Sequence, residues 1–293
     1  MDFLRAASLD DALATKAQRP DIAPIAGGTD LMVAINFDHI RPSGLLDLTS
    51  VPELADWSES GGVIRIGAGV PYARIISELG EHLPGLAMAS RTVASPQIRN
   101  RGTVGGNLAT ASPSGDAHPA LLACAAEVEL ASVRGTRRLP VAEFFTGVKR
   151  SAAEPDELIT AVHLARATGP QQFAKVGTRN AMVISVCAFS VALHPDRAEV
   201  GTGLGSAAPT PRRAVEAEEF LAGELTSRGM WTDPRPLPET VVTRFGELVA
   251  AAAAPIDDVR GTASYRRHAL GVLARRTVGW TWDEYSTGRQ TCA

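Results

Sequence analysis

The sequence predicts an α+β protein, in which two mixed units of helices and strands precede an antiparallel sheet with its own helices. A strand–helix–strand pattern with a Gly-Gly turn at a strand end lies in residues 1–48. A second mixture of short strands and helices lies in residues 57–162, and three strand-like segments follow one another in residues 171–204. Apolar spacing and turn residues separate these patterns, so the chain is expected to fold as several units.

Composition favours a globular protein with a sizeable core. The 293 residues are 45% hydrophobic and 21% charged, which fits one large domain or two to three small ones. The net charge of -3 and the 5% aromatic content give no reason to expect nucleic acid or an anionic membrane as a partner. The longest uncharged apolar run, residues 181–193, is too short to span a bilayer and is predicted to be a buried strand.

The cysteines and histidines do not form recognisable metal-binding patterns. Cys124, Cys187 and Cys292 are far apart, so four thiolates for an iron–sulfur cluster are not available from this chain alone. The histidines show no zinc-binding spacing, and no metal site is predicted. Without a disulfide framework, a reducing compartment and a cytoplasmic location are expected.

The first unit begins with a short strand and a helix. Ser8 is a plausible N-cap, with Asp10 and Asp11 in the first helical turn, where carboxylates interact favourably with the helix dipole. A strand is predicted over residues 22–26, running into Gly27-Gly28. An apolar run at 30–35 and a strand at 45–48 complete this unit.

The second unit is predicted from alternating apolar runs and turn signals. Strands are expected at residues 63–70, 127–132 and 157–162, helices at 72–79, 83–94, 119–126 and 141–145, and a basic turn at 134–138.

The third unit follows a boundary near residues 168–170. Strands are predicted at residues 171–176, 181–193 and 199–204, helices at 214–221, 241–254 and 265–277, a loop at 229–238, and a loose tail after Trp282.

Two glycine-rich segments indicate a ligand site. The first glycine segment, residues 24–31, reads PIAGGTDL, and the second, residues 103–107, reads TVGGN. Glycine lets the backbone approach a ligand closely, and successive N–H groups form a concave anion site. One such turn alone is better explained as an ordinary turn, but two in different units suggest a dinucleotide bridged between them. Asp116 is then placed to accept hydrogen bonds from ribose hydroxyls.

Two other patterns are rejected, and one residue is left open. Residues 203–208 match GxGxxA, but Pro209 and Pro211 follow at once, so no helix opens there and a strand end with a turn is expected. Ser114, Asp116 and His118 lack the GxSxG elbow of a hydrolase. Lys175, on a predicted strand, is either exposed on one face or placed to stabilise the charge of a reduced flavin.

Longer matches extend from these segments. AGGTDL (26–31), TVGGN (103–107) and SPSGDAHPALLA (112–123) resemble the flavin-binding medium subunit of molybdenum hydroxylases, the family of carbon monoxide dehydrogenase and xanthine dehydrogenase. The resemblance continues through FAKVGTRNAM (173–182) and YRRHALGVLARR (265–276), so it covers nearly the whole chain.

The resemblance implies a two-subdomain FAD-binding fold of the vanillyl-alcohol-oxidase-like (PCMH) type and a C-terminal domain with a three-stranded antiparallel sheet and helices. The implied boundaries are residues 1–56 and 57–169 for the two subdomains, 170–283 for the C-terminal domain of the CO dehydrogenase flavoprotein type, and 284–293 for a tail.

It also implies noncovalent FAD and a set of cofactor-binding residues, with no catalytic residue in this chain. Pro24, Ile25, Ala26, Gly27, Gly28, Thr29, Asp30 and Leu31 would hold the pyrophosphate from one side, and Thr103, Gly105, Gly106 and Asn107 from the other. Ser112 and Asp116 would anchor the adenosine-side ribose and its neighbours. Ile159, or its neighbour Leu158, and Lys175 would contact the flavin.

The implied function is that of an electron-transfer subunit. Its partners would be a large molybdopterin subunit and a small subunit with [2Fe–2S] clusters, in a dimer of heterotrimers. Electrons would leave through FAD to NAD+, O2 or another acceptor. Two alternatives stay open: a self-contained FAD oxidoreductase of the same fold, such as an alcohol oxidase or an enolpyruvyl-sugar reductase, and a noncatalytic scaffold.

Overall fold

A small parallel sheet begins the chain. The computed structural model describes residues 1–288. The sheet has the strand order β1-β3-β2, and its unit comprises β1 (Asp2–Arg5), α1 (Leu9–Gln18), β2 (Ala23–Ile25), α2 (Leu31–Asn36) and β3 (Gly44–Asp47). The predicted cap of α1 is confirmed, because the Ser8 hydroxyl accepts a hydrogen bond from the Asp11 N–H at 3.2 Å. The apolar run at 30–35 forms α2, which directly follows the first glycine segment.

A five-stranded antiparallel sheet forms the middle of the molecule. Its strands, in spatial order, are β4 (Trp57–Ser60), β5 (Val63–Gly67), β10 (Leu158–Ala165), β6 (Glu127–Ser132) and β7 (Gly135–Pro140). Around it lie α3 (Tyr72–Glu78), α4 (Pro84–Arg91), α5 (Pro96–Arg99), α6 (Val104–Thr110), α7 (His118–Ala123), α8 (Val141–Phe144) and a ribbon of β8 (Phe145–Gly147) and β9 (Arg150–Ser151).

The basic turn predicted at residues 134–138 is wrong. The turn is limited to residues 133–134, and residues 135–140 form the edge strand β7. The two arginines of that strand are held by carboxylates of the same unit, with Arg137 to Glu157 at 2.7 Å and Arg138 to Glu129 at 3.4 Å. Basic residues therefore suit this strand because it lies at an edge with acidic neighbours.

The last unit is the predicted three-stranded antiparallel sheet with three helices. Its elements are β11 (Gln171–Val176), β12 (Cys187–His194), β13 (Glu199–Gly205), α9 (Val215–Ser227), α10 (Glu239–Ala252) and α11 (Ala263–Thr287). This sheet and the mixed units before it confirm the predicted α+β class. The central strand begins at Cys187 rather than at Ala181, and Met182 has a left-handed φ of 51°, which breaks an extended run.

The loose tail predicted after Trp282 is also wrong as far as the described residues reach. Helix α11 continues to Thr287 and ends at Gly288, which has a φ of 65°. Trp282 is buried and packs against Trp231 and Tyr285, so an aromatic cluster holds the end of this helix. Residues 289–293, which include Cys292 and most of the predicted tail, lie outside the described residues.

The last unit packs closely on the middle one through the glycines of β13. A Cβ on Gly203 would lie 2.0 Å from the Pro119 carbonyl oxygen, and one on Gly201 would lie 2.0 Å from that of Ala123. Helix α7 can therefore lie directly on β13. The GxGxxA pattern at 203–208 begins in β13 and turns at Ser206, as predicted, and its first glycine serves this packing. Within the described chain, no helix combines the length and the apolar character that a membrane crossing requires.

Candidate functional site

The first glycine segment presents free backbone donors. Strand β2 ends at Ile25, Gly28 takes a left-handed φ of 71°, and α2 begins at Leu31. Within the described chain, none of the backbone N–H groups of residues 27–31 donates a hydrogen bond to another backbone group. A run of unpaired N–H groups around a glycine turn is suited to bind the oxygens of a phosphate group. This segment therefore has the free donors that an anion site needs, and its role in binding a cofactor stays a prediction.

The second glycine segment is built differently from the prediction. It is not a turn at a strand end but the start of helix α6, which Thr103 caps by accepting a hydrogen bond from the Gly106 N–H at 3.0 Å. The Gly105 N–H donates to the Ala68 carbonyl oxygen at 3.1 Å, and the Val104 N–H to that of Val70 at 3.4 Å. The first N–H groups of this helix are therefore already used.

Glycine is nevertheless required at this position. A Cβ on Gly105 would lie 2.5 Å from the Ala68 Cβ and 2.7 Å from its carbonyl oxygen. The sequence signal was misinterpreted because glycine is a weak helix former, whereas here it permits close packing of α6 on the strand end. A cofactor role for the residues of the second glycine segment stays a prediction.

The first glycine segment contacts the residues on either side of the second one. A Cβ on Gly27 would lie 1.9 Å from the Arg101 carbonyl oxygen, so only a glycine allows this approach. On the far side, the Thr110 hydroxyl donates to Asp30 at 3.4 Å. A cavity of about 160 Å³ adjoins the contact and is lined by residues from both segments, among them Ala26, Gly27 and Thr103. The predicted convergence of two chain segments on one place is therefore present.

Asp116 and Lys175 form one buried ion pair. The Lys175 Nζ lies 2.8 Å from Asp116 Oδ2 and also donates to the Thr92 carbonyl oxygen at 3.2 Å. Their side chains are 12% and 7% exposed for Asp116 and Lys175, so the alternative of a merely exposed lysine is wrong. Burial raises the pKa of the Asp116 carboxyl to about 6, although the neighbouring ammonium acts in the opposite direction.

This pair changes how the two residues are understood. The sequence assigned Asp116 to a ribose and Lys175 to the flavin as separate contacts. In the structure, Asp116 on the loop before α7 and Lys175 on β11 form one ion pair. A ligand that contacts one of these side chains is therefore also subject to the electrostatic potential of the other.

Ser112 and Ile159 lie nearby in supporting positions. The Ser112 hydroxyl accepts a hydrogen bond from the Ser114 N–H at 3.2 Å and shapes the loop that carries Asp116. Ile159 lies in β10 at a register shift and is partly buried. The carbonyl oxygen of the next residue, Thr160, accepts a hydrogen bond from the Ala68 N–H at 2.9 Å. Ile159 therefore lies close to Ala68, on which α6 packs.

Sequence reasoning missed His118 and Tyr72. His118 is fully buried, its Nε2 lies 3.3 Å from the Asn107 carbonyl oxygen, and its ring fills the space above Gly115. Burial lowers the pKa of His118 to about 4, so the ring is neutral and holds the loop in place. Only the apolar flanks of residues 117–123 pointed to its burial, and nothing in the sequence pointed to Tyr72.

Three buried polar atoms around this site have no hydrogen-bond partner within the described chain. They are Tyr72 OH, Asn107 Oδ1 and Asp116 Oδ1, and the Nδ1 atom of His118 behind the loop is a fourth. An unpartnered buried polar atom costs roughly 1–3 kcal/mol, so a cluster of them indicates groups that a ligand completes. Together with the free N–H groups at 27–31, they fit a ligand with both phosphate oxygens and hydroxyl groups, as FAD has. No group of three or more metal-binding side chains occurs in residues 1–288.

Comparisons with known proteins agree with this geometry. A family model described as "FAD binding domain in molybdopterin dehydrogenase" matches residues 1–166, and one described as "CO dehydrogenase flavoprotein C-terminal domain" matches residues 173–281. The chain is 30% identical over 287 residues to a putative xanthine dehydrogenase FAD-binding subunit of Escherichia coli (strain K12), with 94% of each protein covered.

Two further similarities cover equally long stretches. The nicotine 6-hydroxylase medium subunit of Paenarthrobacter nicotinovorans is 33% identical over 286 residues, covering 93% of this chain and 94% of that one. A chain of the crystal structure of Cu,Mo-CO dehydrogenase superposes with a TM-score of 0.87 and 29% identity, covering 97% of this chain and 98% of the other. This superposition confirms the predicted fold class, including its two-subdomain FAD-binding part.

Proposed function

Because this chain belongs to the FAD-binding medium subunits of the molybdenum hydroxylases, we propose that it transfers electrons from the [2Fe–2S] clusters of a partner subunit to a terminal acceptor. It is a flavoprotein subunit of an oxidoreductase, and FAD is its cofactor. When bound, FAD supplies redox chemistry that accepts single electrons and delivers one or two of them to NAD+, O2 or another acceptor.

The cofactor site of this proposal is the cleft where Gly27 meets Arg101. The single observation that supports it is the run of unpaired N–H groups at residues 27–31. This run packs so closely against Arg101 that residue 27 has no room for a side chain. Residues 24–31 would bind the pyrophosphate oxygens. Thr103, Gly105, Gly106 and Asn107 would form the opposite wall, with Ser112, Asp116, Ile159 and Lys175 along the rest of the cofactor.

The chain's own residues bind and orient the cofactor rather than transfer protons. Asp116 and Lys175 are held by each other, and His118 is neutral and buried behind the loop. A self-contained oxidase would need a free acid or base above the flavin, and none of these three residues supplies one. This favours electron transfer over the self-contained enzyme.

We further propose the division into residues 1–56, 57–169 and 170–283, with FAD held noncovalently, whereas residues 284–287 belong to helix α11 and not to a tail. The partners would be a large molybdopterin subunit and a small [2Fe–2S] subunit in a dimer of heterotrimers. The medium subunits that this chain resembles serve enzymes named for xanthine, nicotine and carbon monoxide, which supports a substrate pocket in another subunit.

The first experiment is an absorption spectrum of the chain purified alone, followed by denaturation and identification of the released chromophore. Released FAD without an iron–sulfur signal is expected. Coexpression with candidate molybdopterin and iron–sulfur subunits then tests whether a complex forms. A colourless protein that cannot be reconstituted with FAD would refute the proposal and favour the scaffold alternative.

The assignment of Asp116 has its own test. Asp116→Ala is expected to weaken FAD binding in a fluorescence titration, whereas Asp233→Ala, at a side chain that is 78% exposed, serves as the matched control. Equal FAD affinity in the two variants would show that Asp116 is not a cofactor ligand.

A further inference from the structure

Tyr72 lies next to the stretch of chain between Arg101 and the second glycine segment. It is the first residue of α3, and its N–H donates to the Gly102 carbonyl oxygen at 3.0 Å. The ring is 2% exposed, and its Cδ2 would lie 3.7 Å from a Cβ placed on Gly102. The side chain is therefore fixed directly beside the segment that contacts Gly27.

The hydroxyl of this buried tyrosine has no use within the described chain. Tyr72 OH makes no hydrogen bond there, and neither does Asp116 Oδ1. Burial raises the pKa of the Tyr72 hydroxyl well above its usual value, and the negative charges of Asp116 and Asp30 raise it further. The hydroxyl thus remains a neutral donor, within the electrostatic influence of one carboxylate from each side of the cleft.

The two unused atoms define the chemistry of the missing group. Tyr72 offers an O–H donor, and the second oxygen of Asp116 offers an acceptor. A phosphate oxygen could accept from the tyrosine, but it cannot donate to a carboxylate. An alcohol hydroxyl accepts one hydrogen bond and donates another, which is the chemistry that these two atoms require.

We propose that Tyr72 is a further FAD-binding residue, whose hydroxyl donates to an alcohol group of the cofactor that in turn donates to Asp116 Oδ1. The inference rests on the proposed function, because FAD carries such hydroxyls on the ribose of its adenosine half and on the ribityl chain of its flavin half. Tyr72 orients this part of the cofactor and takes no part in electron transfer.

The test compares FAD binding and stability in Tyr72→Phe. The variant removes one oxygen and keeps the ring, so FAD affinity is expected to fall about three- to tenfold, as for one lost neutral hydrogen bond. The FAD-free variant should unfold at the same or a higher denaturant concentration, because an unpartnered buried hydroxyl has been removed. Tyr265→Phe, at a ring that is 49% exposed, is the matched control and should change neither quantity.

Binding of the two halves of FAD, FMN and ADP, shows whether the hydroxyl belongs to the ribityl chain or to the adenosine ribose. If Tyr72 contacts the ribityl chain, Tyr72→Phe weakens the binding of FMN and leaves ADP unchanged, and contact with the ribose gives the reverse. The double variant with Asp116→Asn should lose less affinity than the two single losses combined, because both residues bind the same group.

Two results would overturn the inference. One is wild-type FAD affinity in a folded Tyr72→Phe variant, and the other is a less stable FAD-free variant, which would indicate a purely structural hydroxyl. Should the variant not fold, the wild-type chain is titrated with single-deoxy FAD analogues, and equal affinity for all of them overturns it. If the wild-type chain itself binds no FAD, the proposed function fails and not this inference alone.

Discussion

Replacing Gly27 by alanine tests whether the contact between the first glycine segment and Arg101 makes the cofactor site. The new Cβ would lie 1.9 Å from the Arg101 carbonyl oxygen and 2.5 Å from its carbonyl carbon. Real Cβ atoms essentially never come closer than 3.0 Å, so the segments must separate by about 1.1 Å, the difference between 3.0 and 1.9 Å. Both clashing atoms belong to backbone, which cannot rotate away.

The expected cost follows from that displacement. Overpacking of this kind typically destabilises a fold by about 1–3 kcal/mol. The free N–H groups at residues 27–31 would shift by a similar distance relative to the opposite wall. Loss of even one hydrogen bond to a charged phosphate, worth about 1.5–3 kcal/mol, lowers FAD affinity by roughly ten- to a hundredfold.

The assay is a fluorescence titration of the FAD-free chain with FAD, beside urea unfolding of the same samples. Gly223→Ala is the matched control, because Gly223 is an exposed glycine inside α9 with nothing within 4 Å of a new Cβ. There the same substitution should stabilise the chain by roughly 0.5–1 kcal/mol and leave FAD affinity unchanged. A Gly27→Ala variant with wild-type FAD affinity and stability would refute the reasoning.

Two other predictions concern the loop and sheet behind the cleft. Folding raises the pKa of the Asp116 carboxyl from 3.8 to about 6. At a pH between these two values the carboxyl is therefore mostly protonated in the folded chain and mostly ionised in the unfolded chain. The FAD-free chain should therefore gain up to about 3 kcal/mol from this group as the pH falls from 7 to 4. His118 acts in the opposite direction, so the effect is measured by urea unfolding as the difference between wild type and Asp116→Asn, and identical pH profiles would contradict it. Gly203→Ala should destabilise the chain by about 1–3 kcal/mol in the same assay, because its Cβ would lie 2.0 Å from the Pro119 carbonyl oxygen; unchanged stability would show that α7 and β13 separate easily.

Local patterns with a direct physical cause could be predicted from the sequence. The Ser8 cap of α1, the strand before Gly27 and the three antiparallel strands after residue 170 all follow from short-range signals. Elements that depend on neighbours could not be predicted in this way. The edge strand β7 was mistaken for a turn because its arginines are held by Glu129 and Glu157, which lie elsewhere in the sequence.

The candidate site shows the same division. The glycines predicted that two segments approach a common place, but not that one segment is a capped helix whose first N–H groups are already paired. Likewise, the sequence suggested Asp116 and Lys175 separately. Their ion pair forms between residues 59 positions apart, which no local pattern encodes.

That ion pair also has a consequence for the order in which the protein is made. Asp116 is synthesised before Lys175, which lies on the first strand of the last sheet. A nascent chain that ends near residue 170 already contains both glycine segments, yet its Asp116 lacks the ammonium group that neutralises it. With Asp116 and Lys175 in the proposed cofactor site, the complete binding surface would exist only after β11 has left the ribosome and docked, and we expect FAD insertion to be a late event in the biosynthesis of this subunit.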